Sequence, residues 1–375
     1  MLRIAIVTNE LPPYRVPLFS LLAKMPGVTL QVILCTMREP NRQWVLPPLD
    51  FGYVCLRENV IEKSGRYIHN NVDVIPALHR FAPDVVITGG FNPTHLYALA
   101  YALAKRIPHV PMTDGTDWSE HSLSRIHKSI RRFVFARSKA FLAASDGGVR
   151  LFSHYQIPAE RCFKVPLCID NELFAAKGTP MRRPFDFVFC GRIEEVKNPR
   201  FALEVAIGAA GVLRRRTRIL FIGAGDQEAM LRQYAAAHAE VVDAQFHGFK
   251  DHRELPPFYW KARIFLFPTH CDPWGVVVNE ACAAGLAVIS SPYAGAAGEL
   301  IRDGENGFVC ALDPEQWVSR AAMLLTNEET WKNCSRMSVA RVREYSYERA
   351  ALNVVEACRL AVANPPGGLL QQSQS

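Results

Sequence analysis

The chain has 375 residues, of which 49% are hydrophobic and 21% charged, with a formal net charge of +7. These values exclude a disordered or fibrous chain, and no run of about 18 uncharged apolar residues is present to make a spanning helix. The length predicts two domains, each able to bury a core. Ten cysteines are scattered without a C-x-x-C pair or zinc-ligand spacing. The N-terminal MLRIAIVTNE reads as a strand rather than a secretory leader. Buried thiols in a reducing cytosol are therefore expected, with no disulfide and no metal site. The charge is uneven: residues 1–175 carry 20 Lys/Arg against 14 Asp/Glu, and the rest carry 23 against 22. That excess suits an anionic surface or substrate, and no nucleic-acid motif accompanies it.

In chain order, LRIAIVT is a buried strand, NELPPYR a loop, VPLFSLLAKM a helix and VTLQVILCT a second strand. Residues 38–80 hold several turn signals and a helix near Val72 to Phe81. PDVVITGG, HVPMT, KAFLAAS and FKVPLCID follow as strands, separated by helical stretches. Such alternation predicts a mostly parallel sheet covered on both faces. Residues 171–184 are polar, contain Gly and Pro, and read as a linker. The alternation restarts with FDFVFCGR, a helix from Pro199 to Leu213, RILFIGAG, a helix from Gln227 to His238, and AQFHGF. Ile264 to Arg302 then reads as strand, loop, helix, strand, loop, helix. After Asp313 only helices are predicted, the last from Tyr347 to Val362 with one apolar face. The end, NPPGGLLQQSQS, has a disordered composition.

Several strand ends carry candidate chemistry. In FCGRIEEVKN, Arg192 and Lys197 follow a strand and suit a diphosphate, although a solvated loop with an internal Glu/Lys pair is equally compatible. In FIGAGDQ, Gly223 and Gly225 precede a helix start, where backbone N–H groups approach phosphate; a tight turn is the plainer alternative. Asp272 and Glu280 are separated by seven residues, one in a loop and one on a helix. Two helical turns plus a loop residue bring both carboxylates to one crevice at the carboxyl ends of the strands. Glu280 lies in the nearly apolar VVVNEACAA and needs partners, for which ribose hydroxyls are suitable donors. Asp272 precedes Pro273, which is also a common turn signal. The stretch SRIHKSIRRFVFAR places Arg125, Lys128, Arg131 and Arg132 near helical spacing with apolar residues between them. It fits either an anionic bilayer or a surface helix with snorkelling basic side chains.

These elements, in order, are G-R…K-N, FIGAGD, FHGF, LPPFYWKARIFLFPT, the spaced acid pair and ELIRDGENG. They resemble the retaining glycosyltransferases of family GT4, over most of the chain and most densely from Phe187 to Gly307. The resemblance implies an α/β GT-B fold: two Rossmann-like, doubly wound domains facing across a cleft, with a C-terminal helix crossing back to the first. It sets an acceptor domain at 1–170, the linker at 171–184 and a nucleotide-sugar domain at 185–343. The crossing helix occupies 344–363 and the tail 364–375.

By the same resemblance Arg192 and Lys197 hold the donor diphosphate, with Gly191, Gly223 and Gly225 beside it. Glu280 bonds the ribose, and Asp272 bonds a hydroxyl of the donor sugar. The amides of Trp274, Gly275 and Val276 approach sugar and phosphate, and Phe249 and Lys250 lie beside the base. The family's usual first acid is Glu; here it is Asp, one methylene shorter. The first loop, TNELPPYRVPLF, resembles members that build surface polysaccharide or lipopolysaccharide, with Pro12-Pro13 in place of a Gly-rich loop. Asn9, Tyr14 and Arg15 become candidates for acceptor or donor-phosphate contact, or are simple loop residues. Asp114 and Asp117, with His121 behind them, are candidates for the acid near the reacting carbon. The implied reaction is transfer of a hexosyl-type residue from an NDP-sugar to a glycan or lipid-linked acceptor, without metal or cofactor, in the cytoplasm or at the inner membrane face. Two alternatives stay open: an NDP-sugar 2-epimerase or phosphorylase on the same fold, and a non-catalytic nucleotide- or glycan-binding protein.

Overall fold

The computed structural model describes residues 1–375 except 41, 43, 45, 64, 65, 122, 176–182 and 365–375. The chain forms two compact units. One is formed by the described residues of Met1–Leu167 and those from Tyr347 to Asn364; the other by the described residues of Cys168–Ser346.

The first unit contains β1 (Leu2–Thr8), β2 (Val28–Leu34), β3 (Gly52–Cys55), β4 (Val60–Lys63), β5 (Arg66–His69), β6 (Val85–Thr88), β7 (His109–Thr113), β8 (Phe141–Ala143) and β9 (Cys162–Lys164). Seven of these make one sheet in the order β3-β2-β1-β6-β7-β8-β9, and β4 pairs with β5 in a separate hairpin. Every pairing in the large sheet is parallel. The central strands show why: Ile4, Ala5, Val7, Val85, Val86 and Ile87 are all completely buried. A strand covered on both faces reads as an unbroken apolar run, and helices supply the cover. The helix Tyr347–Ala363 belongs to this unit. Its stripe of Ala350, Ala351, Val354, Val355, Cys358 and Ala361 is buried, and it packs on the helix Val16–Lys24. Asn353 Nδ2 ties it to the Lys164 carbonyl at 2.6 Å. The expected return of the C-terminal helix to the first unit is therefore present.

The second unit contains β10 (Phe185–Cys190), β11 (Thr217–Ile222), β12 (Val242–Phe246), β13 (Ala262–Phe267), β14 (Ala287–Ser290) and β15 (Gly307–Val309). Their order is β12-β11-β10-β13-β14-β15, again all parallel. Phe187, Ile219, Ile264 and Ile289 from four of these strands join one core with Trp317 and Leu324 of the helix Pro314–Thr326.

Four sequence expectations are corrected. No helix follows β14 before Arg302; the chain turns there and returns as β15, which the sequence reading had missed. Asn306 explains the turn. Its Oδ1 accepts the Arg302 N–H at 2.9 Å and its Nδ2 donates to the Leu300 carbonyl at 3.1 Å, replacing bonds a helix would have made. The strand expected over FKVPLCID ends at Lys164, just before Val165 and Pro166, a residue that lacks the N–H a longer ladder would need. The difficult stretch 38–80 holds β3 and the β4–β5 hairpin before the helix Val74–Phe81. The linker expected at 171–184 begins with the helix Asn171–Phe174, capped by Asp170. Its Phe174 is fully buried in the second unit, so this part is core. Residues 176–182 of that linker, and all of the expected tail except residue 364, lie outside the described residues. Among the described residues, no helix is long and apolar enough to cross a membrane.

Candidate functional site

In each unit the strand order reverses direction once, between β1 and β6 and between β10 and β13. Crevices open at such points beyond the carboxyl ends of the strands.

In the second unit the loop after β10 and the loop after β11 lie backbone to backbone. A Cβ at Gly223 would sit 1.9 Å from the Gly191 carbonyl oxygen, and one at Gly225 would sit 2.2 Å from that of Ile193. Only glycine permits this approach. The Gly223 N–H, expected to face phosphate, donates instead to the Gly248 carbonyl at 2.8 Å. The loop after β13 is laced to the same place: the His270 N–H (2.8 Å) and Thr269 Oγ1 (2.9 Å) both donate to the Val196 carbonyl. This brings Lys197 to Asp272, with Nζ 2.6 Å from Oδ2. Both side chains are largely buried, at 16% and 18% exposure. Asp272 Oδ1 accepts the Trp274 N–H at 3.1 Å, a local bond that a short acidic side chain makes readily. Arg192 points outward, 56% exposed, and pairs with Glu194 at 2.7 Å. The Glu/Lys pair expected as the alternative for this loop is not what forms: Glu194 pairs with Arg192, and Lys197 is held on Asp272.

Gly275 adopts φ +91° and opens the helix Val276–Ala283; a Cβ there would lie 2.6 Å from the Phe267 ring. Trp274 is buried and its Nε1 donates to Asn279 Oδ1 at 2.8 Å. Glu280 follows Asn279 directly on this helix and is 4% exposed. Its Oε2 accepts the Tyr259 hydroxyl at 2.7 Å, and its Oε1 lies 3.2 Å from His252 Nδ1. Burial raises the Tyr259 phenol well above its ordinary value, with Cys190 and Glu280 adding to the effect. It therefore stays a donor. Phe174 packs on both Tyr259 and His252. Sequence reasoning missed His252 and Tyr259. The available signal was a Tyr in the apolar run LPPFYW, whose buried hydroxyl requires a partner. Phe249 lies about half exposed on the loop after β12, with Lys250 beside it.

In the first unit a pocket of about 210 Å³ opens where β1 and β6 diverge, lined by Asn9, Tyr14, Arg15 and Asp114 among others. Four of the sequence candidates thus meet in one place. Arg15 is buried and bonds Asp114 at 2.6 Å. Asn9 Oδ1 accepts from Asn92 at 3.1 Å. Burial, then the Asp114 charge, pushes the Tyr14 phenol up to about 12. Glu10, Glu39 and Arg42 also line this pocket, and sequence reading had not singled them out. Asp117 does not line it. It bonds Arg150 at 2.8 Å; burial opposes ionisation, but the Arg150 contact outweighs it and holds the carboxyl below its ordinary range. His121 is exposed, with its ring beside Trp118.

The basic helix spans Arg125–Phe135 and is capped by Ser124. Ile126 is 72% exposed and Phe133 48%; Arg125 and Arg132 are exposed beside them and Lys128 partly so. Arg131 corrects the expected stripe: it turns inward onto Glu120, with its guanidinium over the Phe91 ring. Among the described residues, no group of three or more His, Cys, Asp or Glu is placed to hold a metal ion.

Comparison with known proteins bears on both units. Residues 170–341 match the family described as Glycosyl transferases group 1, and residues 30–173 match Glycosyltransferase Family 4. The glycogen synthase of Mycobacterium tuberculosis is 28% identical over 241 residues, 61% of this chain and 56% of that protein. The amylovoran biosynthesis glycosyltransferase AmsK of Erwinia amylovora is 29% identical over 235 residues, 59% of this chain and 55% of that one. The chain thus spans little more than half the length of these relatives. Among solved structures, Anabaena HepE in complex with UDP superposes with a TM-score of 0.74 at 12% identity, covering 96% of this chain and 100% of that one. The lipopolysaccharide outer core galactosyltransferase WaaB superposes with a TM-score of 0.68 at 15% identity, covering 95% and 99%.

Proposed function

Because the chain belongs to the GT4-type glycosyltransferases of the GT-B fold, we propose that it transfers a hexosyl-type residue from an NDP-sugar to a glycan or lipid-linked acceptor, with retention of configuration. The second unit holds the donor and the first the acceptor. The observation that carries this reading is the Lys197–Asp272 pair joining the loops after β10 and β13, with the buried Glu280 on the helix that follows the second of them.

Glu280 takes the ribose hydroxyls. Tyr259 fixes one of its oxygens from behind, and His252, partly exposed, gives way at the other. Lys197 is held on Asp272 until a diphosphate of higher charge draws the ammonium across. Asp272 is then released toward a hydroxyl of the donor sugar, its shorter reach setting which hydroxyl it meets. Arg192 turns from Glu194 to the same phosphates. The acceptor hydroxyl attacks the anomeric carbon from the face the diphosphate leaves. The new C–O bond forms as the sugar–phosphate bond breaks, and a departing phosphate oxygen takes the hydroxyl proton. Lys197 stabilises the charge that builds on the leaving group, an effect worth about 10²–10³ in rate for a well-placed donor. Of the two first-unit acids, Asp114 faces the open pocket and is the better placed to meet an acceptor. No resident metal or cofactor enters these steps.

AmsK and WaaB direct the reading toward surface polysaccharide or lipopolysaccharide assembly. The face of Arg125, Lys128 and Arg132 with exposed Ile126 and Phe133 suits peripheral contact with an anionic bilayer on the cytoplasmic side.

The test is release of nucleoside diphosphate from a panel of UDP-, GDP- and ADP-sugars. One donor should turn over, and Lys197→Ala should lower its kcat about 100-fold or more. Nucleotide binding without turnover of any donor would favour the non-catalytic alternative. Turnover to an epimeric sugar without diphosphate release would favour the epimerase.

A further inference from the structure

The first-unit pocket combines charges in a way that limits what it accepts. Three carboxylates line it, Glu10, Glu39 and Asp114, against two guanidiniums, Arg15 and Arg42. Both guanidiniums are engaged. Arg15 is on Asp114 at 2.6 Å and near the Met112 sulfur at 3.9 Å. Arg42 is on Glu10 at 2.9 Å, with Glu39 at 3.8 Å and the Trp44 ring against its face.

The carboxylates differ in what they have left to offer. Glu10 is a brace: one oxygen takes Arg42 and the other accepts the Glu39 N–H at 3.0 Å, which fixes the segment after β2. Glu39 is braced in turn from behind by His69, fully buried at the end of β5, with its Nε2 3.0 Å from Oε1. Its Oε2 meets Arg42 only at 3.8 Å. Asp114 is 42% exposed beyond its bond to Arg15. A carboxylate has about four lone-pair directions, so Glu39 and Asp114 both retain acceptor capacity while being held in place.

From this geometry we infer that the pocket takes an uncharged, hydroxyl-bearing end group, a single sugar ring or a polyol of that size, and that Glu39 and Asp114 are the residues that select it. The inference rests on the glycosyltransferase reading and names its acceptor class. Hydroxyl groups donate to carboxylates and form charge-assisted bonds without displacing anything. A phosphate or uronate must instead pull Arg15 or Arg42 from its carboxylate, and Arg15, with a side chain 8% exposed, has less freedom to turn than Arg192 at the donor site, 56% exposed. Arg15, expected from sequence as a possible phosphate contact, is committed to Asp114. The volume agrees: about 210 Å³ falls below the ~300–1,000 Å³ usual for a drug-sized ligand, which suits one ring rather than an oligosaccharide. Phe19 and Met112 in the lining give the C–H face of a ring an apolar surface.

The test is saturation-transfer NMR on the full chain with methyl α-glucoside, methyl α-galactoside and methyl α-mannoside, competed with glucose 6-phosphate and with inorganic phosphate. At least one hexoside should bind, neither phosphate should displace it at tenfold excess, and Glu39→Gln and Asp114→Asn should each weaken it about tenfold or more. Displacement by either phosphate, absence of binding by every hexoside, or full affinity in both variants would overturn the inference. Glu39 is buried, so if Glu39→Gln fails to fold, the more exposed Asp114→Asn decides alone. UDP titration of the same wild-type samples separates the two claims. UDP binding without hexoside binding removes this inference and leaves the glycosyltransferase reading. Hexoside binding without UDP or NDP-sugar binding does the reverse.

Discussion

At the β10/β13 switch point the second unit laces its loops together with backbone: glycine against carbonyl, amide against carbonyl, and one buried helix start. At the β1/β6 switch point the first unit walls its pocket with side chains drawn from positions as far apart as Glu10 and Asp114. The topology is the same and the materials differ. Backbone lacing gives a site of fixed shape that suits an invariant part such as a nucleoside diphosphate. A wall of ion pairs can change with single substitutions while the sheet stays intact, which suits a part that varies, such as an acceptor.

The largest effect separating the two should come from Gly223→Ala. The new methyl would lie 1.9 Å from the Gly191 carbonyl in a backbone already at φ +132°. A loss of roughly 3 kcal/mol or more is expected, read as a lowered denaturation midpoint of the second unit. An unchanged midpoint would mean that the loops are not packed as described.

Next is pH. Burial holds His95 and His109, both in the first unit, down to about 3, with His69 and His95 respectively adding to the effect. The unfolded chain protonates each near pH 6.5, while the folded chain does so only near 3. Between those values the unfolded state binds more protons, so stability falls as pH falls, by about 1.4 kcal/mol per pH unit for each histidine. His95→Phe should flatten the acid limb of the melting curve by about one proton. Equal slopes for variant and wild type would remove this distinction between the units.

Smaller is Tyr259→Phe, which takes the brace from Glu280. About 1–3 kcal/mol of stability should be lost because a buried carboxylate oxygen loses its donor, and nucleoside diphosphate affinity should fall roughly tenfold with it. The smallest effect concerns the basic face. Ile126→Ser with Phe133→Ser should lower sedimentation with phosphatidylglycerol vesicles several-fold and leave the melting temperature within about 2 °C, since both residues are exposed. Unchanged sedimentation would take this helix out of any membrane contact.

The same contrast explains what could be read from the sequence. Lys197, Asp272 and Glu280 were legible because each sits a fixed few residues beyond a strand or on a short helix, so local spacing alone puts them at a strand end. The parallel sheets were legible because fully buried strands are unbroken apolar runs. Arg42, Glu39 and His69 were not legible. They come from a stretch crowded with turn signals, and their meeting depends on where a hairpin lies against the sheet, which periodicity does not encode. The missing helix before Arg302 failed for a related reason: Asn306, four residues on, supplies hydrogen bonds that compete with a helix. Arg131 was assigned to the wrong face because helical spacing counts positions and cannot see Glu120 waiting on the inner side.

On the proposed reading the second unit grips a nucleoside diphosphate, with Glu280 at the ribose and Lys197 at the phosphates. Calorimetric titration of UDP, GDP and ADP into wild type, Glu280→Ala and Lys197→Ala tests it most directly. One of the three should bind wild type saturably at one site, weakened about 100-fold by Glu280→Ala and at least tenfold by Lys197→Ala, as expected when a hydrogen bond to a charged group is lost. Affinity for that nucleotide equal to wild type in both variants would contradict it.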